Sequence, residues 1–360
     1  MGLHELTVRN FRVFEEFSFN PDPDAVTVFV SPNGTGKTSV LEAVYCLGTL
    51  GSFRTSSSSN LIRNGLFLAE VHGVVFQHER RLQIDLTLNK HEHRTTKQML
   101  VNGKRPNSRA LLAELMPITI FTPEGVEIIR ESGSHRRQFL DLLIGDVSPA
   151  QEEKIATFIR VLKQRNAFLK TLEKQMPSPA TETELNVWTY QFVEAAEELN
   201  TLRLGIVEQL IPLVQEKYSQ ISQQKDEINL HFQNSWSGDL ASALVSELRH
   251  EVLRGSTVIG PHHDDLVIEL NGRDSRHQAS QGEQRTLALA LRLAGHELVK
   301  STRGVDPLLL LDDVFSELDP YRSDQLLELL PKGQTLVTTA SPLPSGMDPA
   351  VIIDLTKARS

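Results

Sequence analysis

Apolar and polar residues alternate from Leu3 to Val8, whereas Ala25 to Val30 is an apolar run broken only by Thr27. The first pattern predicts a strand covered on one face, the second a strand buried on both. Val71 to Phe76 and Leu82 to Leu88 read as further strands, and Asn102-Gly103 predicts a hairpin turn because both residues tolerate positive φ. The stretch Gly48 to Asn60, with four consecutive serines, has no period and predicts a mobile loop. After Pro149 the period changes: Ile155, Phe158, Ile159, Leu162, Ala167, Leu169 and Leu172 recur at helical spacing. Pro177 and Pro179 break that helix, and a second runs from about Glu184 to Ser222, with Pro212 expected to bend it. The limbs would be roughly 25 to 38 residues long, or about 40 to 57 Å. Strand character returns at Asp265 to Leu270, Pro307 to Leu311, Gln334 to Thr339 and Val351 to Leu355. An α/β fold follows, with an all-helical arm inserted. The expected divisions are 1–146, 147–250 and 251–360.

The sequence has 360 residues, 39% of them hydrophobic, which is enough for a substantial core and about two domains. Its one cysteine, Cys46, excludes an intramolecular disulfide framework, and residues 1–20 show no charged-then-apolar leader, so a cytoplasmic location is expected. No apolar run approaches the roughly 20 residues that cross a bilayer, so no membrane role is expected. A net charge of −9 argues against non-specific nucleic-acid binding over the whole surface. Local basic clusters remain: Arg80-Arg81, Lys90 to Lys97 with His91, His93 and Arg94, Lys104-Arg105 with Arg109, and Arg136-Arg137. Each of these also reads as a plain solvated face.

Three segments carry chemistry. The buried-strand run leads into Ser31-Pro32-Asn33-Gly34-Thr35-Gly36-Lys37-Thr38-Ser39, which opens a helix. That is the setting of a phosphate-binding loop: glycines turn backbone N–H groups inward, Lys37 reaches the β and γ phosphates, and the Thr38 hydroxyl serves Mg²⁺. Leu308 to Leu311 is a second buried strand and ends in Asp312-Asp313. Asp312 would hold Mg²⁺, and Asp313 would orient or deprotonate the attacking water. Ser280-Gln281-Gly282-Glu283-Gln284 precedes a helical run, where Ser280 and Glu283 have capping-box spacing and the helix start can also receive an anion. His262-His263-Asp264-Asp265 reads as a cation cluster only if partners come from elsewhere in the fold.

The order of these segments, followed by Ser316-Glu317-Leu318-Asp319, is similar to the Walker A, signature, Walker B and D-loop set of ABC ATPases. The resemblance implies ATP with Mg²⁺, and a dimer in which Ser280 and Asp319 act on the partner's nucleotide. The opening Leu6 to Phe14 resembles the first strand pair of SMC-like and RecF-like DNA repair ATPases, which implies that Arg12 lies near the nucleotide. Gly51 to Thr55, Phe121 to Glu124, Arg136 to Asp141 and Gly260 to Asp265 are similar to the RecF family in particular, with His263 where that family usually has arginine and Ser31 where it usually has glycine. Membership would imply slow ATP hydrolysis that releases an ATP-dependent homodimer. It would also imply binding at junctions of single- and double-stranded DNA, and work with RecO and RecR in recombinase loading during repair. Arg54, Arg105, Arg136 and Arg137 are the expected DNA contacts. A transporter ATPase subunit is disfavoured by the long helical insertion, an ATPase-nuclease by the short chain after Asp319, and a small-molecule kinase by the Ser280 segment.

Overall fold

The computed structural model describes residues 2–77, 80–92, 94–106 and 110–356. His93 and Arg109 of the basic clusters lie outside this set. Among the described residues thirteen strands form three sheets: β1 (Gly2–Phe11), β2 (Phe14–Phe19), β3 (Val26–Val30), β4 (Leu68–Gln77), β5 (Arg80–Lys90), β6 (Thr95–Val101), β7 (Ile118–Phe121), β8 (Ile228–Gln233), β9 (Asp265–Leu270), β10 (Arg273–Asp274), β11 (Leu308–Asp312), β12 (Thr335–Thr339) and β13 (Val351–Asp354). The helices are α1 (Lys37–Thr49), α2 (Ala110–Leu115), α3 (Glu127–Arg130), α4 (Gly133–Val147), α5 (Glu152–Thr171), α6 (Pro179–Ser222), α7 (Leu240–Arg254), α8 (Ser275–Gln278), α9 (Gln281–Arg303) and α10 (Pro320–Leu329). Two compact units result, one of residues 1–125, 217–224 and 292–360, the other of 126–216 and 225–291.

In the first unit α1 lies between two five-stranded sheets. One is antiparallel, in the order β2-β1-β4-β5-β6, and the other is parallel, in the order β13-β3-β12-β11-β7. The difference was written in the two hydrophobic patterns. Alternating strands can leave one face wet, while Leu308 to Leu311 and Leu336-Val337 are buried on both faces, as parallel strands require. Leu41, Val44 and Leu47 of α1 join Leu6, Val71 and Ile84 on one side and Leu310 and Leu336 on the other in a single core. The expected turn is present, with Asn102 and Gly103 at φ 49° and 75°. The serine-rich stretch is more ordered than expected. Ser52 Oγ donates to Glu42 Oε1, Cys46 Sγ donates to the Gly51 carbonyl, and Ser58–Leu61 forms a 3₁₀ turn.

The second unit contains the helical hairpin α5–α6 and also the three-stranded sheet β10-β9-β8. The inserted segment is therefore not entirely helical: Ile228 and Leu230 of β8 point inward at period two, a strand the sequence reading passed over. Segments 126–146 and 251–291 belong to this unit rather than to head segments ending at 146 and resuming at 251. The reason is packing of α4 on β9, fixed by the pair Arg136 to Asp265, both of whose bonds measure 2.7 Å. The limb α5 ends earlier than expected, at 20 residues, because Glu173 and Lys174 turn the chain at φ 48° and 64°. The limb α6 is longer than expected, 44 residues or about 66 Å, because Pro179 starts the helix instead of only breaking the previous one. It remains helical through Pro212. Arg165, with 1% of its side chain exposed, is paired at 2.6 and 2.9 Å with the fully buried Glu251.

Candidate nucleotide site

Strand β3 ends at Val30 and the loop 31–36 carries the chain into α1. Gly34 and Gly36 take φ 79° and 109°. A Cβ at Gly36 would stand 2.6 Å from Val13 Cγ2 and 2.8 Å from Phe14 Cζ, so this position needs glycine twice over. Ser31 has no positive φ, which explains why a side chain is tolerated there. Its carbonyl accepts from Lys37 Nζ at 2.7 Å, and its hydroxyl pairs with that of Thr35. Lys37 Nζ also donates to Asn33 Oδ1 at 3.1 Å. Burial lowers the Lys37 pKa, while Asp313 and Asp312 raise it. Pro32 and Asn33 are exposed, and Ser39 is buried in α1.

Parallel register places the end of β11 beside this loop, and Thr38 Oγ1 donates to Asp312 Oδ1 at 3.0 Å although 274 residues separate them. Thr338 at the end of β12 donates to the same oxygen at 2.7 Å. Asp312 is 5% exposed, and burial raises its pKa, with Thr338 and Thr38 lowering it and Glu124 and Asp313 raising it further. A carboxylate and a hydroxyl meeting in a nearly dry corner beside a lysine fit a hard divalent cation and the phosphates it accompanies. Asp313 sits in the left-handed region at φ 51°, unusual for a non-glycine residue. Its N–H donates to the Thr338 carbonyl and its Oδ1 accepts from Ala340 N at 3.3 Å. The sequence reading missed Thr338 and Glu124. The signal for both was a polar residue at or just past the end of an apolar parallel strand, since Phe121 of β7 pairs with Leu311.

Arg12, at φ 53° in the turn from β1 to β2, donates from Nε and Nη2 to the buried Glu42 of α1 at 2.7 and 2.6 Å, and from Nη1 to the Asn60 carbonyl. The turn is braced against the loop by Val13 and Phe14. Asp319 caps α10, accepting from Arg322 N at 2.9 Å. Ser280, Gln281 and Gly282 lie in the second unit at the start of α9. The capping box is formed: Ser280 N donates to Glu283 Oε2 at 2.6 Å and Glu283 N donates to Ser280 Oγ at 3.3 Å, with Ser280 and Gln281 exposed. Of the expected DNA contacts, Arg54 and Arg105 are exposed. Arg136 is not: it is 4% exposed, with its guanidinium on Asp265 and on the carbonyls of Ile128 and Glu131. Arg137 is half-buried and donates to the Asp264 carbonyl. Among the described residues no group of three His, Cys, Asp or Glu side chains forms a metal cluster, so His262, His263, Asp264 and Asp265 do not converge.

A phosphate loop between a parallel sheet and a helix, an acidic strand end beside its threonine, and a capped Ser280 segment define the head of an ABC-type P-loop ATPase. The profile of the RecF/RecN/SMC N terminal domain matches residues 2–343, and the chain belongs to the RecF family. It is 35% identical over 354 residues to the "DNA replication and repair protein RecF" of Streptomyces avermitilis, spanning 95% of this chain and 94% of that one. It is 33% identical to the protein of the same description from Lysinibacillus sphaericus, spanning 95% and 93%. A solved structure of the recombination mediator protein RecF with ATP in the RecFOR pathway superposes with a TM-score of 0.88 at 28% identity, over 98% of this chain and 94% of that chain. The Smc head of Pyrococcus furiosus, 16% identical with a TM-score of 0.52 over 94% and 90% of the chains, shares the fold. No helix among the described residues is long and apolar enough to cross a membrane.

Proposed function

We propose that this protein is an ATP-switched DNA clamp of recombinational repair. The observation that carries the ATPase part is the meeting of Thr38 and Asp312 at 3.0 Å beside Lys37. Gly34, Gly36 and Lys37 bind the phosphates, and Thr38 and Asp312 hold Mg²⁺, whose charge would offset that of the phosphates. Lys37 gives up little to do so, since its present partners are a neutral carbonyl and a neutral amide. Asp313 orients a water and takes its proton, held in place from behind by Ala340 N. Arg12 lies beside the loop, on the turn that packs against Gly36.

Ser280, Gln281, Gly282 and Asp319 act on a nucleotide held by a second copy of the chain, so that ATP closes a homodimer and hydrolysis opens it. Exposure of Ser280 and Gln281 supports this part. The closed dimer binds the junction of single- and double-stranded DNA, works with RecO and RecR, and operates in the cytoplasm. Arg54 and Arg105 are the proposed DNA contacts, with Arg137 a lesser one and the buried Arg136 removed from the set. A positive groove formed only on closure reconciles DNA binding with the net charge of −9.

Sedimentation with Mg²⁺-ATP, with and without gapped DNA, tests the reading. Dimerisation on ATP, co-sedimentation of DNA, and a monomeric Ser280→Arg variant that still binds ATP are the expected results. A wild-type protein that stays monomeric and ignores DNA would overturn it.

A further inference from the structure

An exposed aromatic side chain stands at one end of the antiparallel sheet, outside the nucleotide site. Phe67 is 71% exposed, and its neighbours Leu66 and Leu68 are each 39% exposed. Lys90 N donates to the Phe67 carbonyl at 2.8 Å, and Leu68 pairs with Asn89. Phe67 and Lys90 are thus opposed across the two strands, and opposed residues leave a sheet on the same face. Lys90 pairs in turn with Thr95, and His91 N donates to the Arg94 carbonyl at 2.7 Å, closing a tight turn. Lys90, His91 and Arg94 are exposed, and Glu92 is the one carboxylate among the described residues of that turn. The segment carrying Arg54 is held by Lys97 Nζ, which donates to the Leu50 carbonyl at one end, and by Arg12, which donates to the Asn60 carbonyl at the other.

We infer that Phe67 is a stacking platform for an unpaired nucleotide base, with Lys90 and Arg94 meeting the adjoining phosphates. This rests on the DNA-binding reading above and assigns the single-stranded side of the junction to this patch. A phenyl ring open to solvent offers a face that any unstacked base can cover, whereas the bases of a duplex are already stacked on each other. Lys90, opposite Phe67, and Arg94 in the turn that follows favour a polyanion over an apolar peptide. Because the ring is mostly in water, its removal leaves the core intact.

The test uses the full chain with Mg²⁺-ATP, comparing wild type, Phe67→Ala and Phe67→Trp on oligo(dT) and on a blunt duplex, with self-association followed by sedimentation. Phe67→Ala should weaken oligo(dT) binding on the order of ten-fold and leave duplex binding unchanged, with Phe67→Trp restoring it. Lys90→Ala and Arg94→Ala should each reduce the salt slope on oligo(dT) by about one. Unaltered oligo(dT) binding by Phe67→Ala, or an equal loss on both DNAs, would overturn the platform alone. A loss of dimerisation in Phe67→Ala would instead make the patch a subunit contact and overturn it too. Failure of the wild type to bind either DNA would sink the DNA-binding reading itself.

Discussion

Replacing Asp312 by asparagine separates the energetic role of this side chain from its chemical one. Burial holds the Asp312 pKa above the ordinary carboxylate value, so the folded protein binds that proton more tightly than the unfolded chain does. The stability tied to such a group is present below the unfolded pKa and is lost as pH rises through the folded one. Ionising Asp312 is therefore a net cost to the fold, tempered by hydrogen bonds from Thr38 and Thr338 that an amide oxygen can also accept. Without ligand, D312N should melt at the wild-type temperature or above. With Mg²⁺-ATP at a hundred times its dissociation constant, the wild type gains about 2.7 kcal/mol. At about 2 to 4 °C per kcal/mol that is a rise of roughly 5 to 11 °C. D312N should show little of it, because the carboxylate that would hold the cation is gone. Differential scanning fluorimetry with and without Mg²⁺-ATP reads both quantities. A wild-type rise in D312N, or a large fall in its unliganded melting temperature, would refute the reasoning.

Other consequences can be measured directly. Gly36→Ala forces a Cβ into Val13 and Phe14 at an unfavourable φ, and should cost at least about 1 to 3 kcal/mol in urea unfolding while abolishing nucleotide binding. Arg165→Leu leaves Glu251 buried without its cation and should cost about 3 to 5 kcal/mol; the double variant with Glu251→Leu should recover much of that, and a double variant as unstable as the single would contradict the argument. Ser280→Ala removes the cap of α9 and should lower stability by about 1 kcal/mol, seen in the urea midpoint without nucleotide. Burial depresses His296 to about 4, so the folded state resists a proton that the unfolded chain takes up near 6.5. Stability should therefore fall as pH drops from about 6.5 toward 4, and His296→Gln should flatten that limb of the pH-stability curve.

The elements that carry the candidate site were the most legible part of the sequence, because each depends on a local rule. Buried strands ending in a glycine loop or in paired aspartates, and a serine three residues before a glutamate, need no distant partner to be recognised. What escaped was set by tertiary pairing. Arg136 reads as a surface cation until its partner Asp265, 129 residues away, is placed against it. Strand β8 is short, and its inward face is defined only by β9. The split of residues 126–146 and 251–291 from the first unit follows from α4 packing on β9, which periodicity alone does not encode. The order in the serine-rich stretch comes from the Glu42 carboxylate, which gathers Arg12 and Ser52 from opposite directions.

The reciprocal bonds at the start of α9 give that helix end a resident counter-ion. Glu283 occupies the Ser280 N–H with a negative charge, cancelling part of the positive end of the helix dipole. Within one chain the Ser280 end is thus partly neutralised, and its pull on free phosphate is weakened. On the proposed dimer, an incoming γ-phosphate would compete with that tethered carboxylate and would gain from this end only when a second copy of the chain presents it at fixed position. The Ser280 hydroxyl accepts from Glu283 N through a lone pair, and that bond does not use its hydrogen. On the proposed dimer, the same capping contact that holds the helix together would favour a nucleotide docked by a second copy of the chain over phosphate dissolved in the surrounding water.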